Sequence, residues 1–252
     1  MVITIIGELC LDVFIYGNVK RLCPEAPVPV LTDIYEEKNF GMAGNVVQNL
    51  LSYNPSLKIE TIHQKTTIKK VRYIDDKTNH MFLRVDDGEN EVDTLVLTPE
   101  MVETITKSDL VIVSDYNKGF LTEKTLIEIG KSSKLSIIDT KKRLSKELID
   151  VFTFIKLNEH EYVPNKRIAD QNMDKFIITL GKEGARHGKT VYPSPSPKQA
   201  MDVSGAGDTF TAFFSLKYFE TRNIQESITF ANQMASIVVS KRGVATPQNK
   251  FV

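Results

Sequence analysis

Cysteine is scarce in this chain. Only Cys10 and Cys23 occur among 252 residues, without metal-type spacing, so no disulfide framework is expected, and Cys10, beside a strand, reads as a buried free thiol. The histidines His63, His80, His160 and His187 are scattered with no pair at helical ligand spacing, which argues against a zinc site. Net charge is missing too. With 32 Lys and Arg against 32 Asp and Glu there is no electrostatic case for nucleic acid or an anionic membrane surface, and any bound anion must be held by cations placed locally. No run approaches the ~18 apolar residues that a membrane helix needs. Met1–Gly7 is too short, and lacks the basic start, for a signal peptide, so the expectation is a cytoplasmic protein. The dinucleotide fingerprint Gly-x-Gly-x-x-Gly has no strand-to-helix setting, which weakens a dehydrogenase reading. Gly184–Thr190 falls short of a Walker loop because Glu183 stands where glycine is required and Val-Tyr-Pro follows instead of a helix; it reads as a hairpin turn. No internal repeat is found.

What is present suits one α/β domain over residues 1–252, since 41% apolar residues can fill a sizeable core. From Asp109 onward, apolar runs at Leu110–Val113, Leu135–Ile138, Phe152–Leu157 and Phe176–Leu180 alternate with helical stretches at Thr122–Ser132 and Arg143–Ile149. That pattern predicts a mostly parallel, doubly wound sheet flanked by helices. Two regions, about 12–35 and 59–97, alternate polar and apolar residues, as in Pro29–Tyr35 and His80–Val85, and predict half-buried antiparallel strands of a smaller sheet. The prolines of Tyr192–Pro197 favour an extended crossing strand or tether.

The richest chemistry lies in Asp202-Val-Ser-Gly-Ala-Gly-Asp208-Thr-Phe210. Gly205 and Gly207 lack a Cβ, so the backbone can bend with positive φ and bring successive N–H groups against an oxyanion. Thr209–Phe219 is apolar almost all round, a buried helix whose N-terminal dipole attracts phosphate. A negative Asp208 there opposes an anion, and its placement makes sense if it draws a proton from a hydroxyl that attacks the phosphate. Taken alone, the ordinary reading of Gly-Ala-Gly-Asp is a helix cap.

The longer string resembles the C-terminal signature of the ribokinase, or phosphofructokinase-B, family of sugar kinases. The resemblance implies that Asp208 is the catalytic base and that the turn Gly205, Ala206, Gly207 forms an anion hole for the γ-phosphate of ATP. Gly7-Glu-Leu-Cys-Leu-Asp12 after the strand Val2–Ile6 is similar to the family's first-strand motif, in which Asp12 holds sugar hydroxyls. Gly41-Met-Ala-Gly44-Asn45 resembles the N-terminal signature, where the glycines let the sugar approach and Asn45 bonds to it. Asn158-Glu-His-Glu161 resembles the Asn-x-x-Glu that orders magnesium, directly or through water. Thr179-Leu-Gly181-Lys-Glu-Gly184 matches the nucleotide-side motif, and Asn232 lies where the family has an adenine-side residue. The implied fold is ribokinase-like, with a β-sheet lid over the sugar. Lids of two subunits often pack together in this family, so a homodimer is expected; monovalent-cation dependence is left open.

Within the family, Tyr16–Val30, Leu83–Asp86 and Ser114–Gly119 resemble the branch that phosphorylates D-glycero-D-manno-heptose 7-phosphate on the anomeric oxygen. A phosphorylated sugar needs cations, and Lys69, Lys70, Arg72, Arg84, Lys118, Lys141 and Lys142 sit at strand ends or following loops. Most are solvated surface charges taken singly; Arg84, Lys118 and Lys141 rank highest as ligands. The first-strand motif reads Gly-Glu where that branch commonly has Gly-Asp. The chain is also short. Between Leu50 and Thr66 the usual strand, Gly-Asp turn and long helix are reduced, and between Glu161 and Lys175 a helix is expected to be cut to a few residues. No nucleotidyltransferase pattern follows Val252, so a kinase unit unfused to a next pathway step is expected. The alternatives are a kinase of another sugar or nucleoside, and a non-catalytic sugar-phosphate sensor or scaffold.

Overall fold

A computed structural model of the chain describes residues 1–195, 204–240 and 246–247. Ser196 and Pro197 of the proline-rich segment and Asp202 and Val203 of the signature string lie outside the described residues.

The apolar run Val2–Gly7 (β1) is followed by the long strands β2 (Leu9–Leu22) and β3 (Pro29–Met42), then helix α1 (Ala43–Tyr53) and strands β4 (Lys58–Ile62), β5 (Ile68–Asp75) and β6 (Met81–Asp87). From there α2 (Pro99–Lys107), β7 (Leu110–Asp115), α3 (Glu123–Ser132), β8 (Ser136–Thr140), α4 (Lys146–Val151), β9 (Phe154–Asn158), α5 (Glu159–Gln171) and β10 (Phe176–Thr179) alternate. The hairpin β11 (Ala185–His187) and β12 (Thr190–Tyr192) precedes the helices α6 (Ala206–Thr221) and α7 (Ile224–Val239). The large sheet has eight strands in the order β12-β11-β10-β9-β8-β7-β1-β4. It is parallel from β4 to β10, and the hairpin closes the far edge antiparallel.

Both faces of this sheet are covered, which is why its inner strands are continuous apolar runs. On one face Ile3, Ile5, Leu110 and Ile112 pack under α1, α6 and α7; on the other Val111, Val113, Ile138 and Ile155 pack under α2 to α5. Helix α6 is buried from Asp208 to Leu216, so its lack of a polar face follows from its position. The strand order turns back between β1 and β7, and a crevice opens at the carboxyl ends of the strands there, where ligands of doubly wound sheets bind.

Several expectations are corrected. Strand β4 pairs parallel with β1 at the edge of the large sheet, so Lys58–Ile62 leaves the 59–97 lid assignment, and a strand survives in the shortened segment after Leu50. The small sheet, β3-β2-β5-β6, is not wholly antiparallel: β2 and β5 run parallel, because the excursion through α1 and β4 returns the chain in the same direction. Helix α4 starts at Lys146, where the Ser145 side chain accepts from the Leu148 amide, later than Arg143. Helix α5 runs 13 residues from Glu159 to Gln171 with Pro164 inside it, so the segment after Glu161 is not cut to a few residues.

Candidate active site

The crevice is lined by the ends of β7, β8 and β9 and the residues that follow them, and by the first turn of α6. Gly205 adopts the left-handed conformation (φ 79°) as N-cap of α6 and supplies no side-chain cap, leaving the first amides of the helix without intrahelical acceptors. Gly207 lies inside the helix at ordinary φ, so only Gly205 makes the positive-φ bend. Asp208 does not cap the helix. Its Oδ2 accepts from Asn45 Nδ2 at 3.0 Å and its Oδ1 accepts from the Tyr116 hydroxyl at 2.7 Å. Burial pushes this carboxyl up to about 6, while the hydrogen bonds from Asn45 and Tyr116 and the nearby Lys156 pull the other way. Asn45 is fixed in turn: its Oδ1 accepts from Asn49 Nδ2 at 2.9 Å, and Asn49 Oδ1 accepts from the Thr209 hydroxyl at 3.0 Å. Asn45, expected to bond to sugar, is therefore engaged with Asp208.

Charged groups surround the carboxylate. Lys156, buried in β9, pairs with Asp139 of β8 at 2.8 Å, and Asp139 also accepts from the Thr211 hydroxyl at 3.0 Å. Burial opposes the charge on Lys156, yet Asp139 and Glu161 hold its ammonium above the usual lysine range. Lys141 has its Nζ 4.0 Å from the centre of the Tyr116 ring; burial lowers its pKa, with Glu161 and Asp139 opposing. Asn158 and Glu161 form a capping box on α5: Asn158 Oδ1 accepts from the Glu161 amide and Glu161 Oε2 accepts from the Asn158 amide. Burial, then Asp139, raises the Glu161 carboxyl.

A cleft of about 430 Å³ takes in Asn158, Thr179, Gly181, Gly184 and Asn232, with Phe210 and Val239 as apolar walls. It adjoins a hollow of about 140 Å³ bounded by Tyr116, Asp139, Lys141, Glu161 and Asp208, and Lys156, Asn158 and Gly207 border both. Gly184 (φ 97°) permits a close approach, since a Cβ there would stand 2.1 Å from the Tyr192 carbonyl oxygen. Asn232 Nδ2 donates to that carbonyl at 2.9 Å, anchoring the strand end beside the cleft.

The other sequence candidates lie outside both hollows: Asp12, Gly41 and Arg84 on the small sheet, Gly44 in the first turn of α1, and Lys118 in the loop after β7. Asp12 is paired with Arg72 at 2.6 Å, and Gly41 makes room for it: a Cβ at 41 would lie 2.0 Å from Asp12 Oδ2. Gly44 is a packing position against Phe40 and Leu9. Of the cations ranked highest, Arg84 is chelated by Asp86 and Lys118 by Glu89, which also holds Lys70; Lys142 is taken by Asp115. Lys141 alone of the three stands in the hollow with Asp208. Sequence reasoning missed Glu8, Tyr116, Asp139 and Lys156. A lysine inside the apolar run Phe152–Leu157 was a usable signal, since a buried lysine needs a partner.

The comparisons define the class first. The fold is that of ribokinases: Arabidopsis thaliana ribokinase complexed with ribose and ATP superposes with a TM-score of 0.72 at 14% identity, covering 98% of this chain and 96% of that one. A Burkholderia thailandensis nucleoside kinase in complex with inosine superposes at 0.66 and 15% identity, covering 98% and 94%. In sequence, the bifunctional protein HldE of Helicobacter pylori strain Shi470 is 32% identical over 295 aligned positions, 96% of this chain and 64% of that protein. The chain thus spans less than two thirds of the curated relatives it matches. The model of the pfkB family carbohydrate kinase matches residues 48–250, and the chain belongs to that family.

Proposed function

We propose that the protein transfers the γ-phosphate of ATP to a hydroxyl of a sugar phosphate, the anomeric hydroxyl of D-glycero-D-manno-heptose 7-phosphate. The observation that carries the reading is Asp208: a buried carboxylate, held on each oxygen, in the first turn of a helix whose free amides open onto a cleft. Such a carboxylate is placed to take the proton of an acceptor hydroxyl while the amides of Gly205, Ala206 and Gly207 meet the charge that develops on the transferred group. Asp208 works ionised, so turnover is expected to fall as pH drops through about 6. Lys156 and Lys141 add positive charge beside the amides, where transferred phosphoryl oxygens gain most.

The residues fit a nucleotide and magnesium. The apolar walls Phe210 and Val239 suit a base; Asn158 borders both hollows, and Glu161 lines the one that holds Asp208. Among the described residues no group of three or more His, Cys, Asp or Glu forms a ready metal cage. Magnesium is commonly held by one or two carboxylates together with phosphate oxygens and water, and Glu161 offers such a carboxylate in the hollow with Asp208. Bound there, it would offset phosphate charge. Asp12, Gly41, Gly44, Asn45, Arg84 and Lys118 are assigned to the acceptor, on the small sheet and the α1 and β7 ends beside it, with Lys141 nearer the phosphoryl group. The choice of acceptor rests on Tyr16–Val30, Leu83–Asp86 and Ser114–Gly119. A homodimer through the small sheet and a cytoplasmic setting belong to the same proposal; among the described residues no helix is long and apolar enough to cross a membrane.

The test is ADP release from magnesium ATP with D-glycero-D-manno-heptose 7-phosphate, sedoheptulose 7-phosphate, fructose phosphates, ribose and adenosine, with Asp208→Asn as control. Turnover confined to the heptose phosphate and lost in the variant supports the proposal. Turnover with another acceptor alone replaces the substrate, and ATP binding without turnover on any acceptor points to a sensor or scaffold.

A further inference from the structure

Glu8 is fully buried at the end of β1, and among the described residues no lysine or arginine forms an ion pair with it. Burial raises its carboxyl, and Asp115 raises it further. An uncompensated buried carboxylate is costly, so its contacts should explain it. Both oxygens cross the sheet to one turn: Oε2 accepts from the Tyr116 amide at 2.9 Å and Oε1 from the Lys118 amide at 3.0 Å. The amide between them, Asn117, donates to Asp115 Oδ1 at 3.0 Å, and Asn117 sits at φ 57°. Three successive amides of a tight turn are thus held by two carboxylates. The side chain this turn presents is Tyr116, whose hydroxyl reaches Asp208 and whose ring faces the Lys141 ammonium.

We propose that Glu8 is a positioning residue for phosphoryl transfer: it fixes the turn after β7 so that Tyr116 holds Asp208 with its hydroxyl and Lys141 with its ring. The inference rests on Asp208 being the base. The other groups facing Asp208 and Tyr116 are Asp139 from β8, Lys156 from β9 and Cys10 from β2, with Glu161 of α5 and Lys70 of β5 facing Lys141; among the described residues none of these hydrogen-bonds to Glu8. Because those groups are unchanged in Glu8 and Tyr116 variants, a change in Asp208 traces to the turn. Tyr116→Phe keeps the ring and removes the donor. It should lower kcat about tenfold, the effect of one hydrogen bond to a charged group, with both KM values within about twofold. Its acid limb should move to higher pH, since the lost hydrogen bond favours the ionised carboxylate.

The experiment compares wild type, Tyr116→Phe, Glu8→Gln and the double variant by pH profiles of kcat. It also follows the Asp208 carboxyl by carbon-13 NMR titration without acceptor, the resonance assigned with Asp208→Asn. Glu8→Gln should move the Asp208 titration in the same direction as Tyr116→Phe, and the double variant should match Tyr116→Phe alone. A folded Glu8→Gln protein whose Asp208 titrates as in wild type, or a double variant whose shift is the sum of the singles, overturns the inference. Should Glu8→Gln not fold, Glu8→Met carries the same test with an apolar chain of similar length. The titration needs no turnover. Absence of acceptor-dependent turnover in wild type would therefore count against the kinase reading, while the NMR series still decides whether Glu8 acts through Tyr116.

Discussion

Asp208 is held in a state that costs stability. Folding raises its carboxyl to about 6, so the native state binds the proton more tightly than the unfolded chain does. Stability from this group is greatest below the unfolded aspartate value and is lost as pH rises through about 6. Asp208→Asn should therefore raise the free energy of unfolding near neutral pH, by an amount on the order of 1–3 kcal/mol, with the gain fading in acid; thermal melts across pH check this. The same change should lower turnover by roughly 10²–10⁴, and a variant that keeps most of its turnover removes Asp208 from the chemistry. At Gly41 a methyl group would collide with Asp12 and with Cys10 Sγ. Gly41→Ala should displace Asp12 from Arg72 and cut acceptor kcat/KM about tenfold or more while leaving the KM for ATP unchanged, as steady-state kinetics in both substrates will show. Asp208, Gly205, Asn158 and Asn45 were legible because each stands in a short contiguous string. Glu8 and Tyr116 were not, since the bond that joins them spans 108 positions. The pairing of Arg84 with Asp86, two residues along the same strand, follows from the local string, whereas what else Arg84 meets depends on the sheet around it.

Helix α5 shows how an element can hide. It is polar, carries Pro164 and has no clear apolar stripe, so periodicity gives little sign of it. Its start, however, was written in Asn158-Glu-His-Glu161, which is a capping box whatever else it does. Asn158→Ala should lower stability by about 1 kcal/mol in denaturant unfolding without ligand. Asn158→Asp keeps the cap and should hold stability near wild type while altering the magnesium dependence of ADP release. Equal stability loss in both variants would count against a separable capping role. The inner strands of the large sheet were legible as apolar runs because both faces are buried, while the edge strand β4 was not. The parallel pairing of β2 with β5 was not, since alternation reports which side is buried and says nothing of direction.

For the molecule as a whole, the register places Phe40, Leu11, Val13, Ile15, Val71, Tyr73, Leu83 and Val85 on one face of the small sheet. Phe40 is 52% exposed, Leu83 55% and Val85 43%, and Glu36, Lys38, Lys69 and Asp87 share the face, a mixed apolar and charged surface on which the proposed second copy would pack. Leu83→Glu should convert a dimer to monomers in sedimentation equilibrium; a wild type that is monomeric at micromolar concentration would sink the dimer proposal. The class is written along the chain: contiguous glycine and carboxylate strings and apolar runs of strand length act locally, between residues that are neighbours in sequence. The tertiary structure decided which groups meet. It gave Asn45 and Tyr116 to Asp208, set Lys141 over the Tyr116 ring and neutralised Arg84, Lys118 and Asp12 with neighbours, because hydrogen bonds and ion pairs form between groups that are close in space, and closeness is fixed only when the sheets close.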